Sequence, residues 1–210
     1  MNELRDSAAI LHVGMKRTGK TTASLQMMVE FVEKQGKPVV VLDLGCHPSF
    51  DNFRRITLEE LPKIHSLPGK KYFVYRPYES LQVFPEILEF CTMVSKYVRN
   101  AVVFFEDFTT YVEGNFHPIV KGLILNSRNS CNDYVFNVHS FSDVGPFILK
   151  HCEIYLVRET IDDPNDLPPK IPYTIRPTVK QALALVLKEN QRNRNKYAYR
   201  IIYKEENRIG

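Results

Sequence analysis

Residues 12–25 read HVGMKRTGKTTASL. Gly14 and Gly19 bracket four residues, and Lys20 and Thr21 follow at once, so every fixed position of GxxxxGK[ST] is filled. The residues ahead, AAILHV (8–13), form an apolar run of strand type, and those behind, TTASLQMMVEFVEKQG (21–36), place apolar residues at helical spacing. A loop between a strand and a helix can turn its backbone N–H groups inward around an anion, and the helix start adds its unsatisfied amides and the positive end of its dipole. Gly14 and Gly19 are expected to supply unusual backbone angles and to let the main chain approach a phosphate that a Cβ would block. Met15, Lys16, Arg17 and Thr18 complete the cradle, with Thr22 in the first helical turn. Lys20 would reach the β- and γ-phosphates of a nucleotide, and the Thr21 hydroxyl would ligate Mg²⁺. The plainer alternative, a glycine turn before a surface helix, leaves the full motif unexplained.

Further strand-like runs follow at PVVVLDL (38–44), KYFVYR (71–76), AVVFFED (101–107), DYVFNVHS (133–140) and CEIYLVR (152–158). Several are continuously apolar, as strands covered on both faces of a parallel sheet are. Helical spacing recurs in SLQVFPEILEFCTMVSKYV (80–98), with Pro85 near its start, in HPIVKGLILNSRN (117–129) and in RPTVKQALALVLKENQRN (176–193). The alternation predicts an α/β fold: a mostly parallel, doubly wound sheet with helices on both faces and its site at the carboxyl ends of the strands. YAYRIIYK (197–204) reads as an added antiparallel edge strand at the C-terminus, and DDPNDLPPKIP (162–172) as an excursion at the surface. One domain over 1–210 is expected, with a core at 1–158, the proline-rich excursion at 159–175, and the last helix and strand at 176–210.

The chain has 210 residues, 44% hydrophobic and 25% charged, which places it among soluble globular proteins. No apolar run approaches the ~20 residues of a membrane span. MNELRDSAA lacks a basic segment followed by an apolar one, so a cytoplasmic location is expected. Cys46, Cys91, Cys131 and Cys152 are scattered singly, which argues against a zinc site or a disulfide framework and for free, mostly buried thiols. The net charge of +4 is modest. Its distribution says more, because KENQRNRNKYAYRIIYK (188–204) gathers Lys188, Arg192, Arg194, Lys196, Arg200 and Lys204 among tyrosines. This tail is read either as a nucleic-acid surface or as a solvated helix end running into an edge strand.

Mg²⁺ needs a carboxylate besides Thr21, and a hydrolase needs a base to orient water. Glu106 and Asp107 stand together at the end of AVVFFED. Neighbours at a strand's end point to different sides, so Glu106 is assigned to the metal and Asp107 to the water. Asp43, at the end of the second strand, is another acid at the carboxyl rim, with Lys20, the metal or nothing as its partner.

The phosphate loop, the paired acids of VVFFEDF and the arginine in LILNSRNSCNDYVFNVHSF together resemble the FtsK and HerA superfamily of P-loop ATPases, which includes Zot-like proteins and viral genome-packaging ATPases. The resemblance spans roughly residues 8–158. That superfamily often shows an Arg a few residues before a strand ending in a polar sensor, commonly Gln. Here Arg128 precedes the strand, His139 stands where Gln is common, and SDVGPFI (142–148) follows. The resemblance implies that His139 contacts the γ-phosphate or the attacking water, and that Arg128 serves a neighbouring subunit's nucleotide as an arginine finger. It implies a P-loop NTPase that binds ATP and Mg²⁺ and hydrolyses ATP in a homo-oligomeric ring to move DNA, double-stranded and without sequence preference. Viral packaging, with a capsid or membrane-associated partner, or plasmid transfer would be the setting. A Zot-like assembly switch and a small-molecule phosphotransferase are the alternatives. Met15 occupies the place of the signature Lys of ParA and MinD relatives, no arginine-rich kinase lid is evident, and a guanine-reading NKxD is absent. Cations of the tail and of GKKYFVYR (69–76) would line a DNA channel.

Overall fold

A computed structural model describes residues 7–77, 83–108 and 118–210. Among the described residues nine strands form one sheet in the order β3-β4-β2-β5-β6-β1-β7-β8-β9. The strands are β1 (Ala9–Val13), β2 (Val39–Leu42), β3 (Arg54–Arg55), β4 (Tyr72–Tyr75), β5 (Val102–Phe105), β6 (Asp133–Val138), β7 (Ile154–Val157), β8 (Arg200–Tyr203) and β9 (Arg208–Ile209). All pairings from β3 to β7 are parallel, while β8 runs antiparallel to β7 and β9 antiparallel to β8. The sequence runs thus become the strands expected of them, although the C-terminal strand is the penultimate one, with β9 outside it.

The helices are α1 (Lys20–Val29), continuing into a π-helical turn over Glu30–Lys34, then α2 (Val83–Tyr97), α3 (Pro118–Leu125), α4 (Ser127–Ser130), α5 (Pro146–His151) and α6 (Arg176–Asn193). The expected starts of the second and third helices, at 80 and 117, lie outside the described residues. Alternate residues of each strand face opposite layers. Ile10, Val39, Val41, Val102, Phe104 and Val135 pack with Met28 of α1 on one face. Leu11, Val40, Val103 and Phe136 pack with Ile87 and Phe90 of α2, Leu123 of α3, Ile148 of α5 and Val179 of α6 on the other. The sheet is covered on both sides, as strands without polar alternation require, but most of the helical cover lies on one.

Residues 45–70, where no periodicity is legible, fold as short 3-10 turns at Pro48–Phe50 and Leu58–Lys63 around the two-residue β3. The proline-rich stretch after β7 differs from a free excursion. Leu167 and Ile171 are buried in the main core, and the buried Asp162 carboxylate accepts from the backbone N–H of Phe141 (2.8 Å) and Ser142 (3.1 Å). Its prolines keep it irregular, while these anchors hold it against the loop after β6. Of the four free thiols, Cys91 and Cys152 are buried and Cys46 is exposed.

Candidate nucleotide site

β1 lies between β6 and β7, so the turn that leaves it at Gly14 emerges in the middle of the carboxyl rim. The turn is tied to both flanking strands: Gly14 N–H donates to Val138 O (3.1 Å) and Met15 N–H to Glu159 O (2.8 Å). Gly19 has φ +82° and caps α1 without a side-chain acceptor, and the first turn of α1 carries no acid. The opening amides of the helix are therefore left for an external acceptor, and the positive helix end is not offset. Arg17 also takes a positive φ, of 66°.

Gly14 departs from the sequence expectation. It is absent from the left-handed region, and a Cβ there would meet Arg158 Cβ at 2.8 Å and Thr18 Oγ1 at 2.9 Å. Close packing of the loop on Arg158, rather than an unusual backbone angle, is what demands a glycine at this position.

A cleft of 440 Å³ opens above the loop, lined by Met15, Lys16, Arg17, Gly19, Lys20, Thr21, Thr22, His47, Ser49, Glu106, Asp107 and His139. A larger hollow of 680 Å³ beside Phe53 and Tyr72 is lined by Glu33, Arg54 and Lys70 but by no residue of the loop or of the turn after β5. Lys20 Nζ donates to the carbonyl of Gly14, and to that of Met15 at 3.3 Å, and lies 3.4 Å from His139 Nδ1. Burial lowers the Lys20 pKa, while Asp107 and Glu106 act to raise it. The other imidazole nitrogen, Nε2, stands 3.3 Å from Asp107 Oδ1. Nδ1 thus faces an ammonium donor and Nε2 a carboxylate acceptor.

Thr21 Oγ1 donates to Glu106 Oε1 at 3.3 Å, and Asn137 Nδ2 donates to the other carboxylate oxygen. Burial pushes the Glu106 pKa up; the Asn137 hydrogen bond opposes this, and the Asp107 charge adds to it. A hydroxyl beside a carboxylate oxygen is a hard-oxygen pair suited to Mg²⁺, which needs only one or two protein ligands when phosphates supply others. Among the described residues no three His, Cys, Asp or Glu side chains gather to hold a metal by themselves. The uncapped amides of α1 and the Thr21–Glu106 pair therefore fit a magnesium nucleotide.

Two expectations about the acids change. β5 ends at Phe105, so Glu106 and Asp107 lie in the turn beyond it, and Asp107 takes φ 48°. The strand alternation that would separate them no longer applies, and both line the same cleft. Asp43 belongs elsewhere: its carboxylate pairs with Arg76 at 2.8 Å and accepts from His47 N–H. Arg128, in α4, precedes β6 at the amino rim of the parallel sheet, opposite the cleft, and is exposed. A six-residue strand separates the two rims by about 20 Å, so Arg128 does not join the cleft.

Three side chains that the sequence did not single out lie under the loop. Asn137 bonds Ser24 of α1 (3.0 Å) as well as Glu106, linking helix, strand and acid. Arg158 is buried; its Nη1 donates to Thr18 O (2.8 Å) and Tyr197 O (3.1 Å), and its Nε to His12 Nε2 (3.0 Å). Polar residues inside apolar strands were the available signal for Asn137 and His12. Arg158 ends its run as any solvated strand-end arginine would.

His12 carries a pH consequence. Because Nε2 accepts from Arg158, the ring is neutral, and its pKa lies well below 6.5, first through burial and then through the charges of Arg158 and Lys20. The unfolded chain takes up this proton below about pH 6.5 and the folded chain does not. Stability from His12 is thus intact above that pH and is lost as pH falls toward the depressed folded value. The expected slope is up to ~1.4 kcal/mol per pH unit. Urea unfolding of the native protein and of His12→Gln at several pH values checks it; parallel curves would refute it.

No protein-family model and no curated protein matches the chain. Solved structures do. The genome packaging NTPase B204 from Sulfolobus turreted icosahedral virus 2 is similar in its AMP and AMPPCP complexes, with TM-scores of 0.72 and 0.73 at 14% identity, over 97% of this chain and 96% of that one. B204 from Sulfolobus turreted icosahedral virus, a DNA-packaging ATPase, gives 0.65 at 16% identity over 100% and 97%. The pCW3 conjugation coupling protein TcpA gives 0.50 at 12% identity, over 76% of this chain and 51% of that one. At these identities the shared property is the fold.

Proposed function

We propose that this chain is an ATPase that binds Mg·ATP and couples its hydrolysis, within a homo-oligomeric ring, to movement of double-stranded DNA, as in the packaging of a viral genome. The observation that carries the reading is the meeting of Lys20, Thr21, Glu106, Asp107 and His139 over the uncapped start of α1. The packaging and coupling proteins that share the fold support it.

In this reading the α1 amides and Lys20 hold the phosphates, and Thr21 and Glu106 hold Mg²⁺. Bound Mg²⁺ would offset charge on the terminal phosphates. Asn137 fixes the Glu106 carboxylate, so its free direction is toward Thr21. Asp107 orients water and takes its proton, while His139, between Asp107 and Lys20, positions both. Arg128, on the opposite rim, is kept as the finger offered to a neighbour's nucleotide.

Part of the proposed DNA surface is otherwise engaged. In GKKYFVYR, Lys71 Nζ donates to the carbonyls of His65 and Leu67, and Arg76 pairs with Asp43 and Asp51. In the tail, Arg200 pairs with Glu189 and Lys196 with Glu159. Lys188, Arg192 and Arg194 remain exposed at the end of α6.

Steady-state phosphate release with and without double-stranded DNA tests the proposal. Stimulation by DNA, dependent on Mg²⁺, is expected. Reversing the charges of Arg192 and Arg194 should then reduce the log–log salt slope of DNA binding by about 2. Slow turnover indifferent to DNA would favour a nucleotide-dependent switch, and phosphate transferred to an added metabolite would favour a kinase. Among the described residues no helix is long and apolar enough to cross a membrane.

A further inference from the structure

The cleft has a direction. The acids and His139 stand at the ends of β5 and β6, on one side of β1, which marks where the terminal phosphate lies in the proposed reading. A nucleotide held by the loop must send its ribose and base the other way, over β7 and the start of β8. There the Tyr197 ring lies beside the loop: a Cβ added to Gly19 would come within 3.4 Å of Tyr197 Cδ1. Tyr197 is nonetheless 63% exposed and lines a hollow of 560 Å³ with Asn193, Tyr199 and Arg200, beside the loop rather than within the cleft of Lys20 and Glu106.

Its backbone is held on three sides. Arg158 Nη1 bridges Tyr197 O to Thr18 O of the loop. The buried Asn190 side chain of α6 accepts from Ala198 N–H (2.9 Å) and donates to Glu159 (2.8 Å). Asn195 Oδ1 accepts from Tyr197 N–H (3.1 Å). The Arg158 guanidinium also lies 5.2 Å from the centre of the Tyr199 ring. Exposed tyrosines on a surface usually hang from mobile segments, whereas this one is fixed to the loop by a buried cation. A ring so placed costs little further ordering when a flat ligand covers it.

We infer that Tyr197 is the stacking platform for the nucleobase, with Arg158 as the residue that positions it against the phosphate loop. The inference rests on the nucleotide reading above and adds the base-binding side of the same site. Stacking on one aromatic face tolerates any purine, so the contribution is to affinity rather than to a choice between adenine and guanine.

The test compares ATP with inorganic tripolyphosphate, which has the phosphates but no base, by equilibrium titration of the full chain. Tyr197→Ala should bind ATP about ten-fold more weakly and tripolyphosphate as the native protein does, and Tyr197→Phe should restore ATP binding. Unchanged ATP binding by Tyr197→Ala would overturn the inference while leaving the nucleotide site intact, and so would unchanged ATP binding with weakened DNA binding, which would return the tyrosine to the tail. Equal losses for both ligands would also overturn it, since they would mean a disturbed loop. A native protein that binds neither ligand would remove the nucleotide reading itself.

Discussion

Lys20→Ala is expected to abolish measurable ATP turnover, with a loss of about 10²–10³ or more, the scale seen when one charged or hydrogen-bonding clamp on a reacting oxyanion is removed. Lys20 is the buried cation of the cleft, and its ammonium rests on the loop carbonyls of Gly14 and Met15. Those are weak partners compared with a triphosphate. Their arrangement places the ammonium beside His139, and in the proposed reading phosphate oxygens would replace those carbonyls. The readouts are phosphate release and the rise in melting temperature on adding Mg·ATP. A variant that hydrolyses ATP at the native rate would remove Lys20 from the chemistry. A variant that merely melts lower, but still gains stability from ATP, would assign it to holding the loop.

Asp107→Asn separates binding from chemistry. The residue sits in the turn after β5 in a left-handed conformation that Asp and Asn both tolerate, so the substitution keeps the backbone. It removes the carboxylate facing His139 Nε2 and with it the acceptor for a proton from water. ATP binding should stay near native, while kcat falls by about 10²–10⁴, as loss of a general base typically costs. Equilibrium binding with and without Mg²⁺, beside single-turnover hydrolysis, makes the distinction. A collapse of Mg-dependent affinity would instead place Asp107 with the metal and release Glu106 from that role.

The parts of the molecule legible in the sequence are those where one local signal suffices. β2, β5 and β6 are continuous apolar runs, and a strand buried on both faces needs nothing else. The turn after β1 and the helix start behind it are written in the spacing of Gly14, Gly19, Lys20 and Thr21. What was not legible depends on partners distant in the chain. Arg54 and Arg55 form β3 only because β4 offers an open edge, and no apolar pattern announces them. The six residues of α5, PFILKH, are too few for a helical period to show. Asp43 reads like a site acid until Arg76 is placed beside it. At Gly14 the spacing gives no hint of the atoms that a Cβ would meet, which belong to Arg158, far downstream, and to Thr18.

The strand order also bears on biosynthesis. β1 is made early, yet both of its neighbours in the sheet, β6 and β7, come from far downstream, and the Arg158 bonds to His12 and Thr18 span 146 and 140 residues. Such separations make closure of this region a late and slow step. A nascent chain therefore leaves the ribosome with the turn after β1 unshaped until β7 has followed it out.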